Sequence, residues 1–256
     1  MSQIWLIGGT SESVILAEAI AAANINCIVT VTTETAKQLY SQYHPLLKIR
    51  VGCLDQNSIL SFLKQQKITA ILDASHPFAV EISKLAIATA THYNIPYLRY
   101  ERSSCDLQQN ENNILYLDSF ETLLSGNYLT EKRVMLTLGY RHLHQFKSWQ
   151  EYSTLFVRLL PSVVSLEAAF NTGFTPDRII AIRPPISIEL EKALWQQWNI
   201  SLVVTKASGK AGGEATKRKV AAELSIPLVI INRPTVNYPQ ITTDINKAIE
   251  FCQNYD

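Results

Sequence analysis

Five consecutive residues near the N-terminus, Gly8, Gly9, Thr10, Ser11 and Glu12 in IGGTSES, have the makings of an anion-binding turn. Two glycines allow a sharp turn and close backbone approach to a ligand. Hydroxyls and N–H groups at a helix start receive negative charge well. The dinucleotide fingerprint G-x-G-x-x-G is not matched, because the glycines are adjacent. A plain strand-to-helix turn capped by Ser11 is the alternative. Glu12 suits a helix start but repels a phosphate, so it is expected to cap or to touch a hydroxyl.

A second polar cluster, LDASHPFA, carries Asp73, Ser75 and His76 ahead of Pro77, which suits a first helical turn. Such density at a strand's carboxyl end is what a cofactor site needs. His76 could donate to a ligand or bond within its own loop. In VTVTTETA, Thr32 stands where NAD-specific domains usually carry an acid for the ribose 2′-hydroxyl, and Glu34 comes later. That is compatible with a 2′-phosphate, for which Arg50 is the nearest cationic candidate.

The third cluster is VVTKASGKAGGEATKRK, with Lys206, Ser208, Gly209, Lys210, Gly212 and Gly213 between a strand and a helix. It resembles a phosphate loop, yet G-x-x-x-x-G-K-[ST] is absent. Cations, glycines and a hydroxyl there suit carboxylates as well as phosphates; a flexible loop without a ligand is the alternative. Arg99, Arg102, Arg158, Arg183 and Arg233 sit at or near other strand ends as candidate anion contacts. For Arg99 and Arg102 solvated surface charge is the competing reading. No Ser-His-Asp order, H-E-x-x-H or paired metal-ligand spacing occurs, so no metal site is expected.

The elements that must position these residues alternate strand and helix. IWLIG, NCIVTVTT, LLKIRVG, TAILDAS and IPYLRY read as strands, with helical segments such as ESVILAEAIAAA and FAVEISKLAIATATHY between them. After the polar stretch ERSSCDLQQNENN and a short ILYLD strand, a second array follows through RVMLTLG, STLFVRLLP, RIIAIRPP, ISLVVTKASG and IPLVIINRP. Ser162 and Ser187 are placed to cap two of its helices. The predicted class is α/β, with two Rossmann-like domains of mainly parallel sheets, residues 1–128 and 129–256, and an interdomain cleft. Ligands in such folds sit beyond the carboxyl ends of the strands.

The bulk properties set limits. A net charge of +1 over 256 residues gives no global basic field for nucleic acid. Four scattered cysteines, Cys27, Cys53, Cys105 and Cys252, form no C-x-x-C pair and read as reduced, mostly packed thiols. No basic leader precedes the first apolar run, and no run approaches the roughly 20 residues of a membrane span. A soluble, cytoplasmic chain is expected, with no membrane partner and its oligomeric state open.

In order and spacing, IGGTSE, DASHPFA, LRYERSS, LTLGYRHL, FVRLLP and TKASGKAGGEATKRKVAAEL with IPLVIINRP resemble the precorrin-6A and cobalt-precorrin-6A reductase family of corrinoid biosynthesis, over nearly the whole chain. The resemblance implies a two-domain reductase that uses NADPH to reduce one double bond of an anionic tetrapyrrole, precorrin-6A, to precorrin-6B. The cofactor would be held mainly by Gly8, Gly9, Thr10, Ser11 and Glu12, with Thr32, Asp73, Ser75 and His76 adding contacts. The macrocycle would lie in the cleft. Its carboxylates want cations at the rim, for which Arg99, Arg102, Arg158, Arg183, Lys206, Lys210 and Arg233 are candidates beside Ser208, Gly209, Gly212 and Gly213. Lys206 is the candidate proton donor or electrostatic stabiliser. The family's glycine-proline-phenylalanine triplet is replaced here by Arg183, Pro184 and Pro185, and Ala207 stands where an acid or amide is common. A non-catalytic NADP-sensing protein and a nucleotide-sugar or phosphometabolite transferase are the competing readings.

Overall fold

The computed structural model describes residues 2–40, 44–102, 113–209 and 212–255. Lys210, Cys105 and most of the polar 101–113 stretch lie outside that set. The chain divides into two compact units, residues 1–103 with 234–256, and residues 104–233.

The first unit runs β1 (Gln3–Ile7), α1 (Ser11–Ala22), β2 (Cys27–Val31), α2 (Glu34–Lys37), β3 (Leu47–Val51), α3 (Ile59–Gln66), β4 (Ile68–Asp73), α4 (Val80–Tyr93) and β5 (Tyr97–Tyr100). β12 (Ile241–Thr242) and α9 (Ile245–Gln253) complete it from the far end of the chain. The strand order is β12-β5-β4-β1-β2-β3, every pairing parallel. β1 and β2 are buried along their whole length, which explains their unbroken apolar runs. Alternation sends Ile4 and Leu6 to a core shared with α1 and α9, and Trp5 and Ile7 to one shared with α3 and α4.

The second unit contains β6 (Ile114–Leu117), α5 (Phe120–Ser125), β7 (Arg133–Thr137), β8 (Thr154–Leu159), α6 (Val163–Asn171), β9 (Ile179–Ala181), α7 (Ile188–Gln197), β10 (Leu202–Lys206), α8 (Glu214–Leu224) and β11 (Leu228–Ile231). Its order is β6-β11-β10-β7-β8-β9, again wholly parallel. Met135, Phe156, Trp195, Val203 and Val220 build its core against α7 and α8. Ser162 and Ser187 cap α6 and α7 as expected, each accepting the N–H three residues on.

The α/β class and the parallel sheets are as the sequence predicts. The boundary expected at 128/129 is corrected. The chain passes to the second unit near residue 103, because β6 pairs with β11 rather than with the first sheet. It returns near residue 234, because β12 pairs with β5 and α9 packs Ala248 and Cys252 into the first core.

Candidate functional site

In the first sheet β2 and β3 lie to one side of β1, while β4, β5 and β12 lie to the other. The order reverses between β1 and β4, and ligands in open α/β sheets bind beyond such a point. The loops after these two strands are IGGTSES and LDASHPFA.

The first loop is held from beneath. The Gly9 N–H donates to Tyr40 Oη at 3.0 Å, and that phenol meets Ser13 Oγ at 2.6 Å. A Cβ at Gly8 would come within 2.4 Å of Tyr40 Oη and 2.7 Å of Val29, so only glycine fits there. Gly9 has φ +98° and open space where a Cβ would stand. The N-cap of α1 is Thr10 rather than Ser11. Its Oγ1 accepts the Ser13 N–H at 3.1 Å and donates to the Ala74 carbonyl at 2.9 Å, which ties the two loops together. The first-turn N–H groups of Ser11 and Glu12 have no intrahelical carbonyl to reach, and a helix start of this kind favours negative charge.

The second loop rests on a buried charge network. Asp73 accepts from the Ser75 N–H at 2.9 Å, Ser83 Oγ at 2.6 Å, Tyr97 Oη at 2.6 Å and Arg99 Nη1 at 2.9 Å. Arg99 also donates to Ser75 Oγ at 3.0 Å and to Glu101 at 2.8 Å, and its guanidinium lies 5.1 Å from the Tyr238 ring centre. Burial and the Asp73 carboxylate push the Tyr97 phenol far above its usual range. Neither Asp73 nor Arg99 is a surface group, so the reading of Arg99 as solvated charge or as a rim cation is corrected. His76 Nδ1 accepts the Phe78 N–H at 3.2 Å, a bond within its own loop.

Thr10, Glu12, Ala74, Ser75, Arg99, Tyr100 and Arg102 line one recess at this edge. Arg102 Nη2 pairs with Glu12 Oε2 at 3.1 Å. Thr32 is exposed at the tip of β2. Arg50 is not brought to the recess. Alternation along β3 turns it to the opposite sheet face from α1, 5.1 Å from the Phe62 ring centre.

The second unit repeats the topology, with its reversal between β7 and β10. Lys206 ends β10, and the loop after it is braced by α8. Glu214 Oε2 accepts the Gly209 N–H at 2.9 Å, and Lys217 Nζ donates to the Gly212 carbonyl at 2.7 Å. Arg218 clamps Glu214 at 2.7 Å and donates to Tyr116 Oη at 2.5 Å. Gly209 and Gly213 have φ +68° and +67°. Beyond β7, the helical turn 140–146 carries Arg141 and His142, the latter stacked on Phe120 at 4.2 Å. Burial first, then the charge of Arg141, lowers Lys206 to about 8. Burial, then Lys206, His144 and Arg141, lowers His142 to about 4.

The remaining arginines differ. Arg158 is corrected from a rim cation to a structural one, because it pairs with the buried Glu191, which also accepts Trp195 Nε1 at 3.0 Å. Arg233 Nε donates to the Ala207 carbonyl at 2.9 Å, bracing the loop after β10. Arg183 is exposed after β9. Nothing in the local sequence marks Tyr40, Ser13, Tyr238 or the Glu214–Arg218 pair as parts of these loops. LTLGYRHL did hold a signal for His142, since it follows a strand ending in glycine. Among the described residues no His, Cys, Asp and Glu group could hold a metal, and no helix is long and apolar enough to cross a membrane.

The family model described as precorrin-6x reductase CbiJ/CobK matches residues 3–253. A cobalt-precorrin-6A reductase from Synechocystis sp. is 46% identical over 258 residues, covering 100% of this chain and 97% of its own. One from Priestia megaterium is 31% identical, covering 98% of each. The solved structure of the precorrin-6A reductase CobK superposes with a TM-score of 0.80 at 22% identity, over 100% of this chain and 97% of that one, which agrees with the fold.

Proposed function

This chain belongs to the precorrin-6x reductase family, and on that premise we propose that it reduces one double bond of an anionic tetrapyrrole, cobalt-precorrin-6A or precorrin-6A, to the corresponding 6B form with NADPH. The observation that carries the reading is the full-length match to relatives named cobalt-precorrin-6A reductase, which favours the cobalt-bearing substrate.

The first unit suits the cofactor. The donors at the α1 start, the open side of Gly9 and the absence of an acid at Thr32 fit a dinucleotide with a 2′-phosphate. NADPH, when bound, supplies the hydride. The protein's part is to receive the phosphates at the N–H groups of Ser11 and Glu12, over the open side of Gly9, and to hold Ser75 and His76 beside them on the Asp73–Arg99 support. In the second unit, Lys206 presents a positive charge toward the substrate's carboxylates and has a proton to give near neutral pH. The loop with Ser208, Gly209, Gly212 and Gly213 follows Lys206 directly, and α8 holds its shape through Glu214 and Lys217.

The test is direct. The purified chain is mixed with NADPH and each tetrapyrrole, and absorbance and product mass are followed. A gain of two hydrogens is expected, faster with NADPH than with NADH. No mass gain with either tetrapyrrole refutes the activity, and equal affinity for NADH refutes the 2′-phosphate reading.

A further inference from the structure

Glu12 stands in the first turn of α1, where an isolated carboxylate would weaken the binding of a phosphate. It is not isolated. Its Oε2 accepts from Arg102 Nη2 at 3.1 Å and from Ser11 Oγ at 3.1 Å. Arg102 comes from the segment after β5, so the pair joins two loops at one sheet edge. Both residues line the recess that also contains Thr10 and Ser75. The side chains are 21% and 11% exposed, so the pair sits at the lip of the recess, within reach of a ligand. The pair is neutral as a unit, and it sets a guanidinium beside helix N–H groups that already favour an anion. An arginine fork can engage a carboxylate along one edge and a phosphate along another.

We infer that Glu12 is a positioning residue, holding the Arg102 guanidinium at the start of α1 so that Arg102 contacts the pyrophosphate of the nicotinamide dinucleotide. The inference rests on the cofactor reading above, and it moves Arg102 from the substrate's rim to the cofactor's grip. It carries an unusual sign: removing a negative charge from an anion site weakens anion binding.

NADPH is titrated into the full-length wild type, Glu12→Gln, Arg102→Gln and the double variant, following nicotinamide fluorescence, with thermal melts run on each. Glu12→Gln weakens NADPH binding about threefold or more, and Arg102→Gln about tenfold, as for loss of a charge-assisted bond. The double variant matches Arg102→Gln within about twofold, because Glu12 acts through Arg102. Arg102→Lys, a second variant that keeps the charge and loses the fork, falls between wild type and Arg102→Gln. KM for the tetrapyrrole at saturating NADPH stays at the wild-type value in all four variants. Tighter NADPH binding by Glu12→Gln, as expected for an uncompensated repulsive charge, overturns the inference. So does unchanged NADPH affinity with a raised tetrapyrrole KM in Arg102→Gln. A wild-type chain that binds no NADPH instead defeats the cofactor reading itself.

Discussion

Arg99 reaches Asp73 at 2.9 Å with the two side chains 1% and 0% exposed, so each supplies the counter-charge that lets the other be buried. Removing one partner strands the other. Arg99→Leu is expected to cost about 3–5 kcal/mol, the usual range for an uncompensated buried charge. The double variant Arg99→Leu with Asp73→Leu should lose less than the sum of the singles. Urea denaturation of the four proteins measures both effects, and additive losses would show that the two residues do not act as a pair.

Gly212 faces Ser208 so closely that a Cβ would stand 1.8 Å from its Oγ and 2.3 Å from its Cβ. Gly212→Ala must therefore shift the loop, at a cost of about 1–3 kcal/mol, the range for overpacking. Ser208→Gly removes both clashing atoms and should restore most of that loss in combination. Thermal melting of the single and double variants decides the matter; no recovery in the pair would place the strain elsewhere.

Gly8→Ala drives a methyl into Tyr40 and Val29, and Tyr40 is the acceptor for the Gly9 N–H. Loss of stability and of NADPH affinity should come together. Tyr40→Phe, without the added methyl, should weaken NADPH binding with a smaller loss of stability. Isothermal titration paired with melts checks this; NADPH affinity untouched by either change would uncouple Tyr40 from NADPH binding.

Lys206 ionises near 8 rather than at 10.5, mainly because it is buried. Its ammonium is thus lost as pH rises through about 8, and turnover at saturating NADPH should fall there. Lys206→Arg should move that limb upward by about two pH units or more, since a guanidinium stays charged. Lys206→Ala should raise the tetrapyrrole KM more than the NADPH Kd. Stability carries the opposite sign: the penalty for burying the charge is full below about pH 8 and lifts toward pH 10.5. A pH–rate profile with the same limb in Lys206→Arg refutes the assignment.

His142 is held near 4 against an ordinary 6.5, so it is neutral at physiological pH. The folded state loses stability as pH drops from about 6.5 toward 4, where the unfolded chain takes up a proton first. His142→Gln should flatten that part of the stability curve. An imidazole proton titrating near 6.5 by NMR would contradict the burial of this ring.

Most strands were legible because parallel strands buried on both faces leave long apolar runs, as in IWLI and CIVTV. β12 was not, because two residues carry no periodicity. The domain boundary went astray with it, since ILYL reads as a strand without saying which sheet it joins. At the site, glycine-rich loops and hydroxyls beside strand ends stood out. The partners of charges did not. Arg99 and Asp73 are 26 positions apart, Arg158 and Glu191 are 33 apart, and nothing local marks either pair as neutralised. Tyr40 was hidden for the same reason, 31 positions from the glycine it supports.

β12 and α9 reach the first sheet from residues 241–253, and Arg99 donates its own N–H to the Gln240 carbonyl. During synthesis the ribosome delivers β1 to β5 first, then the entire second unit, and only then the segment that finishes the first. For that interval the edge of β5 lacks its neighbour, and the ring of Tyr238 has not yet covered Arg99. Domains otherwise tend to form in the order in which they emerge. Here the unit begun first is completed last, and a chain that stopped before Tyr238 and β12 would lack both the ring over Arg99 and the neighbour of β5.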